Sequence, residues 1–192
     1  LLETSAGTRF DTATVILAAG LGAFQPRRLR ARGAETWENS RINYRIRDPE
    51  RLADKNIVIL GGGDSALDWT LELHGKARGI TLVHRRDEYR AQPASVNKMK
   101  ALVDGESLVE FRGHVRSVFE DEGEFGGLEI ADPDAELQRI EADEVFVFWG
   151  LSPNLGPIAE WGLDLDKRQI HVDTEKFQTN IPGIFAVGDI NT

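Results

Sequence analysis

The sequence predicts an α/β fold in which a parallel sheet carries an antiparallel insertion, and three observations predict it. An apolar strand, Ile57-Val58-Ile59-Leu60, runs directly into Gly61-Gly62-Gly63-Asp64-Ser65-Ala66. A helical stretch and a second apolar strand follow, and that strand ends on His84-Arg85-Arg86. From Leu108 to Glu141 the pattern then changes to short strands divided by turn residues.

In order along the chain, Ala13 to Ala19 reads as a strand closing on Gly20, followed by a loop with Gly22 and Pro26. A basic segment comes next, with Arg27, Arg28, Arg30, Arg32, Arg41, Arg45, Arg47 and Arg51. It could dock an acidic partner, or it is a solvated linker surface. Ile57 to Leu60 is a short apolar run of the kind a buried parallel strand needs. Beyond the glycines, Ala66, Leu67, Trp69, Thr70, Leu71 and Leu73 recur at helical spacing, with Asp68, Glu72 and His74 supplying the polar positions. Gly79 stops this helix and Ile80 to Val83 forms the second strand, which completes a βαβ half-unit of Rossmann-like size.

Pro93 belongs in the first turn of a helix running to about Val103, with Val96, Met99 and Leu102 on its inner face. Short strands around Val109, Val115 to Phe119, Leu128 to Ile130 and Leu137 to Ile140 are divided by turns such as Asp121-Glu122-Gly123 and Asp132-Pro133-Asp134. This set reads as the antiparallel insertion. A buried strand returns at Val145 to Trp149 and Gly150 ends it. Pro153, Gly156 and Pro157 mark a connection, a short helix lies near Ile158 to Trp161, and a hairpin-like pair, Ile170 to Val172 and Ile184 to Val187, comes last.

Composition narrows the function classes. Of 192 residues, 41% are hydrophobic and 29% charged, enough for a core and unlike a disordered chain. The net charge of -9, from 23 basic and 32 acidic residues, argues against general nucleic-acid binding. With no cysteine there is no disulfide, thiolate metal site or dithiol centre. His74, His114 and His171 are scattered without metal-ligand spacing, so no metal site is expected. The longest apolar run, Val15 to Phe24, is too short and glycine-rich to span a bilayer, and the expectation is a soluble cytoplasmic protein without a membrane partner. Both ends read as cut: the only methionine is Met99, and the strand Ile184 to Val187 leads into Gly188-Asp189-Ile190 just before the last residue.

The glycine turn carries the strongest chemistry. Gly61 can make the tight turn, Gly63 lets the backbone approach a pyrophosphate, and Ala66 permits close packing of helix on strand. The free amides at the helix start then face an anion. Where an NAD-specific site carries an acid for the ribose hydroxyl, this chain offers His84, Arg85, Arg86 and Arg90. Guanidinium groups suit a phosphate, so the expected ligand is NADPH over NADH. The alternative is a set of solvated charges on an exposed strand end. His84 is expected to stack near the adenosine or to be structural, and no catalytic acid, base or nucleophile is expected.

These residues together resemble the thioredoxin-reductase-like class of ferredoxin-NADP reductases, two-domain flavoproteins that pass electrons between NADPH and ferredoxin or flavodoxin through FAD. The resemblance is carried by Val15 to Phe24 with Pro26-Arg27, by Gly61 to Trp69, by His84-Arg85-Arg86-Asp87-Glu88-Tyr89-Arg90, and by Gly183 to Ile190. It implies that Gly61, Gly62, Gly63, Asp64, Ser65 and Ala66 hold the NADPH pyrophosphate and that Arg85, Arg86 and Arg90, beside His84, recognise the 2'-phosphate. It also implies that Asp189 hydrogen-bonds the ribityl or pyrophosphate region of FAD, with Gly188 and Ile190 close to the flavin. Ala19 and Gly20 match a segment passing near FAD.

The resemblance further implies residues 31–150 as an NADPH-binding domain, flanked by parts of an FAD-binding domain at 1–30 and 151–192. The family's N-terminal FAD fingerprint is not in this sequence, and thioredoxin reduction is disfavoured because no C-x-x-C precedes the glycine turn. The expected function is the NADPH-binding portion of a ferredoxin (flavodoxin)-NADP reductase, homodimeric when intact, with hinges near Leu29 to Trp37 and Trp149 to Asn154. Two alternatives stand beside it: an NADPH-binding module or sensor without flavin, and another NADPH-dependent flavoprotein reductase.

Overall fold

Ile57, Val58, Ile59 and Leu60 are each at most 1% exposed, so this strand is covered on both faces, as a continuous apolar run requires. The computed structural model describes residues 1–20, 25–152, 154–166 and 168–192. The Leu21 to Phe24 stretch of the first motif and Pro153 of the predicted connection and hinge lie outside the described residues. The chain divides into two compact units, Pro26–Gly150, and Leu1–Gln25 with Leu151–Thr192.

In the larger unit, beyond a short helix over Ala34–Trp37 and a 3-10 turn over Glu50–Leu52, the elements are strands β1 (Ile42–Asn43) and β2 (Asn56–Leu60), helix α1 (Asp64–Leu73), strand β3 (Gly79–His84), helix α2 (Pro93–Asp104), and strands β4 (Val109–Arg112), β5 (His114–Asp121), β6 (Glu124–Ala131), β7 (Leu137–Glu141) and β8 (Glu144–Val147). Five of them form one parallel sheet in the order β1-β8-β2-β3-β4. The other three form an antiparallel sheet in the order β7-β6-β5. The α/β class, with a parallel sheet and an antiparallel insertion, is therefore the observed one.

Alternation along the strands decides which layer covers which face. Ile57, Ile59, Leu82 and Phe146 share a core with Leu67 and Leu73 of α1 and Met99 of α2. Val58, Leu60, Val83 and Val145 share the opposite core with Leu128 and Ile130 of β6. Each such fully buried side chain contributes roughly 1.5–3 kcal/mol relative to exposure. Helix α2 has its proline in the first turn, where the missing N–H costs nothing, and Val96 and Leu102 pack beside Met99 as the spacing predicts.

One strand differs from its sequence reading. Val109–Arg112 is not part of the antiparallel insertion; it pairs parallel with β3, Thr81 opposite Val109 and His84 opposite Arg112. Helix α2 is the crossover that returns the chain in the same direction. The insertion begins after Gly113, where a Cβ would lie 2.5 Å from the Ala131 carbonyl.

Polar groups fix the opposite end of the sheet. Glu144, 2% exposed, accepts from Arg51 Nη2 and Lys55 Nζ, each at 2.7 Å. Beside it, the Asn56 N–H donates to Asp143 Oδ2 at 2.7 Å and the Asp143 N–H donates to the Asn56 carbonyl at 2.8 Å. These ties set β8 against β2 with Glu144 opposite Ile57. Arg51 of the basic segment is thus ion-paired, and Arg28 likewise meets Glu38 at 3.2 Å.

In the smaller unit the predicted hairpin of Ile170 to Val172 with Ile184 to Val187 is replaced by two other pairings. Ile184–Ala186 runs parallel to Val15–Leu17, and Gln169–Ile170 runs antiparallel to Leu165–Asp166. The Val15 N–H donates to the Gly183 carbonyl at 2.9 Å, and a Cβ on Gly183 would lie 2.9 Å from the Ala13 carbonyl oxygen. That close approach brings Ile184–Ala186 against Val15–Leu17. Leu17, Ile170, Val172, Ala186 and Ile190 form this unit's core, and the predicted short helix is a 3-10 turn over Gly156–Glu160.

Candidate functional site

Because β2 and β3 are parallel neighbours, Leu60 and His84 bring the glycine turn and the arginine segment to one edge of the sheet. A groove of about 280 Å³ opens there, lined by Gly61, Gly62, Gly63, His84, Arg85, Arg86 and Arg90 among others. Open α/β sheets bind ligands at this carboxyl edge.

Each glycine does a different job. The Gly61 N–H donates to the Val83 carbonyl at 3.0 Å, and a Cβ here would lie 2.7 Å from the Phe148 carbonyl oxygen and 2.8 Å from Ala66 Cβ. Residue 61 and the fully buried Ala66 therefore permit each other's approach, which seats α1 against β2. At Gly62 a Cβ would collide with the His84 imidazole. At Gly63, with φ -101°, a Cβ would meet nothing within 4 Å, so the backbone there faces open groove. No side chain caps α1, which leaves its first amides to a ligand, and the positive end of the helix dipole lies at the same place.

Asp64, Ser65 and Ala66 stand in the first turn of α1, behind the groove lining. The Asp64 carboxylate has a structural partner: its Oδ1 accepts the Gln92 N–H at 2.8 Å, which ties α1 to the entry of α2. Ser65 is exposed.

Arg85, Arg86 and Arg90 are exposed, and no ion pair with a carboxylate engages any of them among the described residues. Neighbouring Arg112, by contrast, pairs with Asp87. The three cations and the open Gly63 backbone make a donor set for a phosphorylated ribose and a pyrophosphate. The residues fit NADPH. Glu88 also lines the groove.

His84 is engaged by packing on two sides. Its ring abuts Gly62 and stacks on Tyr89, centroids 4.8 Å apart and planes 28° apart, and its Nε2 lies 3.0 Å from the Glu88 carbonyl oxygen. The Tyr89 hydroxyl donates to Glu110 Oε1 at 2.6 Å, and burial, reinforced by that bond, pushes the phenol well above its usual pKa. The Arg90 N–H donates to the Gly62 carbonyl at 2.7 Å.

Arg27, Gly113, His114, Val115, Phe148 and Trp149 also line the groove, and none of these is among the site residues the sequence predicts. The usable signal is positional: Gly113 and Phe148 follow the ends of β4 and β8, as Gly61 follows β2. Among the described residues no cluster of three or more His, Asp or Glu side chains could hold a metal, and no helix is long and apolar enough to cross a membrane.

Gly188, Asp189 and Ile190 lie in the smaller unit, after Ile184–Ala186. Gly188 takes φ +79°, a left-handed conformation that glycine adopts without steric cost, and nothing lies within 4 Å of where its Cβ would be. Asp189 is exposed, and its backbone carbonyl accepts from Gln169 Nε2 at 3.0 Å. Ile190 is fully buried and its carbonyl accepts the Ile170 N–H at 2.7 Å. Thus the exposed Asp189 carboxylate stands on a backbone anchored through its own carbonyl and that of Ile190, open to accept hydrogen bonds from hydroxyl groups such as those of a flavin cofactor.

The profile of the family "pyridine nucleotide-disulphide oxidoreductase" matches residues 2–192. A protein named ferredoxin--NADP reductase 2, from Cupriavidus pinatubonensis, is 54% identical over 191 residues, 100% of this chain and 52% of that protein. A ferredoxin--NADP reductase of Methylibium petroleiphilum is 50% identical over 194 residues, 99% of this chain and 53% of that protein. The crystal structure of Lactococcus lactis thioredoxin reductase (FR conformation) matches with a TM-score of 0.76 and 26% identity, over 93% of this chain and 57% of that one. The chain spans about half the length of the curated relatives it matches. With the family profile running through the glycine turn, the arginine segment and Gly188-Asp189-Ile190 alike, the chain belongs to the pyridine nucleotide-disulphide oxidoreductase family.

Proposed function

We propose that this chain is the NADPH-binding portion of a flavin-dependent ferredoxin (flavodoxin)-NADP reductase. The observation that carries the reading is the pairing of an open glycine turn with Arg85, Arg86 and Arg90, all free of carboxylate partners among the described residues. The relatives named ferredoxin--NADP reductase support the electron-carrier acceptor. When bound, NADPH would supply a hydride and FAD would divide the electron pair for a one-electron carrier, chemistry that belongs to the cofactors.

What these residues contribute is position and electrostatics. The backbone at Gly63 and the first amides of α1 take the pyrophosphate, and the arginines take the 2'-phosphate through charge-assisted hydrogen bonds worth about 1.5–3 kcal/mol each. Phe148 and Trp149 supply an apolar wall to the groove. Asp189 accepts hydrogen bonds from hydroxyl groups of FAD, with Gly188 leaving room beside it. His84 holds the turn and transfers no proton.

The test is a visible absorption spectrum of the full-length protein followed by anaerobic titration with NADPH. A flavin band that bleaches on NADPH addition is expected. Absence of flavin would sink the reductase reading and favour a flavin-free nucleotide-binding module.

A further inference from the structure

The loop between β3 and α2 carries all three arginines and is held from two sides. Towards the glycine turn, the Arg90 N–H bonds the Gly62 carbonyl and the Gln92 N–H bonds Asp64. Towards β4, Tyr89 donates to Glu110 at 2.6 Å and Asp87 pairs with Arg112. The His84 ring joins the two sides, stacked on Tyr89 and abutting Gly62. Tyr89 and Glu110 do not themselves line the groove.

We propose that Tyr89 and Glu110 are positioning residues that set the preference for a 2'-phosphorylated dinucleotide. The hydrogen bond fixes the Tyr89 ring, the ring fixes His84 against Gly62, and the loop is thereby held with Arg85, Arg86 and Arg90 beside the glycine turn. This rests on the reading that those arginines take the 2'-phosphate. Ordering the loop before the ligand arrives removes an entropic cost from binding. If the tie is lost, the competent loop conformation is populated only part of the time and apparent affinity falls by that fraction. A dinucleotide without the 2'-phosphate does not use the arginines, so its affinity does not depend on the tie.

The experiment compares dissociation constants for NADPH and NADH in the full-length protein carrying Tyr89→Phe, Glu110→Ala, Glu110→Gln, or Arg85→Ala with Arg86→Ala. Tyr89→Phe keeps the ring and its stack and removes only the donor. It and Glu110→Ala are expected to weaken NADPH about three- to tenfold, one hydrogen bond's worth, with NADH unchanged. Glu110→Gln, which keeps an acceptor oxygen, is expected to retain most of the affinity, and turnover at saturating NADPH stays at the parent value. Equal losses for both dinucleotides, or no loss for either, overturn the positioning role while the double arginine variant still loses NADPH selectively. If the arginine variant shows no selective loss, the 2'-phosphate reading falls and this inference falls with it.

Discussion

The imidazole of His84 occupies the space that a side chain at Gly62 would need, so strand β3 and the glycine turn are complementary at this contact. The same ring rests on Tyr89, so any displacement there reaches the arginine loop as well.

Adjacent glycines should therefore fail in different ways. Gly62→Ala pushes His84 out, and affinity for NADPH and NADH is expected to fall together by about tenfold or more, with a lowered melting temperature. Gly63→Ala places a methyl in open space on a backbone that alanine adopts readily, so stability is expected to hold or rise by about 0.4–1 kcal/mol. Its methyl nonetheless stands where the pyrophosphate approaches, and affinity for both dinucleotides should drop. Paired melting and titration measurements separate the two.

The chain has two tyrosines, and both phenols are held protonated. Burial, then the hydrogen bond to Glu38, pushes Tyr44 up to about 12, and burial with the Glu110 bond raises Tyr89. A phenol whose pKa is raised by folding contributes stability that is complete below about pH 10, its ordinary value, and is lost as pH climbs through the folded value. In that window the unfolded chain has released its proton and the folded chain has not, so the slope of stability against pH is negative. Alkaline titration of the 192-residue chain should show tyrosinate absorbance appearing well above the pH at which the urea-unfolded chain ionises. Tyr44→Phe should flatten part of the alkaline loss of stability.

At the far end of the sheet, Glu144 is buried between two partly exposed cations. Replacing Arg51 and Lys55 together by alanine leaves a buried carboxylate uncompensated and is expected to cost about 3–5 kcal/mol in urea unfolding. Replacing either one alone should cost clearly less, because the other remains within 2.7 Å.

What the sequence shows and what it hides follow from distance along the chain. The unit from Ile57 to Arg86 is legible because apolar run, glycines, helical spacing and strand end are all local patterns. Val109-Glu110-Phe111-Arg112 alternates like the strands after it, and only the crossover through α2 decides that it runs parallel to β3. In the same way, His114 and Trp149 reach the groove because the order β8-β2-β3-β4 gathers strand ends that are far apart in sequence. Asp64 reads as a ligand-facing residue of the turn, and the hydrogen bond that engages it comes from Gln92, beyond a strand and a loop. The partner of Ile184–Ala186 is equally remote, at Val15–Leu17.

The central claim is that Arg85, Arg86 and Arg90 make the groove a site for a 2'-phosphorylated dinucleotide. The most direct measurement is calorimetric titration of the full-length protein, with and without Arg85→Ala plus Arg86→Ala, against NADPH and against NADH. The parent protein should prefer NADPH, and the double variant should lose about tenfold or more of its NADPH affinity while binding NADH within about twofold of the parent. Equal losses for the two dinucleotides, or an unchanged NADPH affinity, would contradict it.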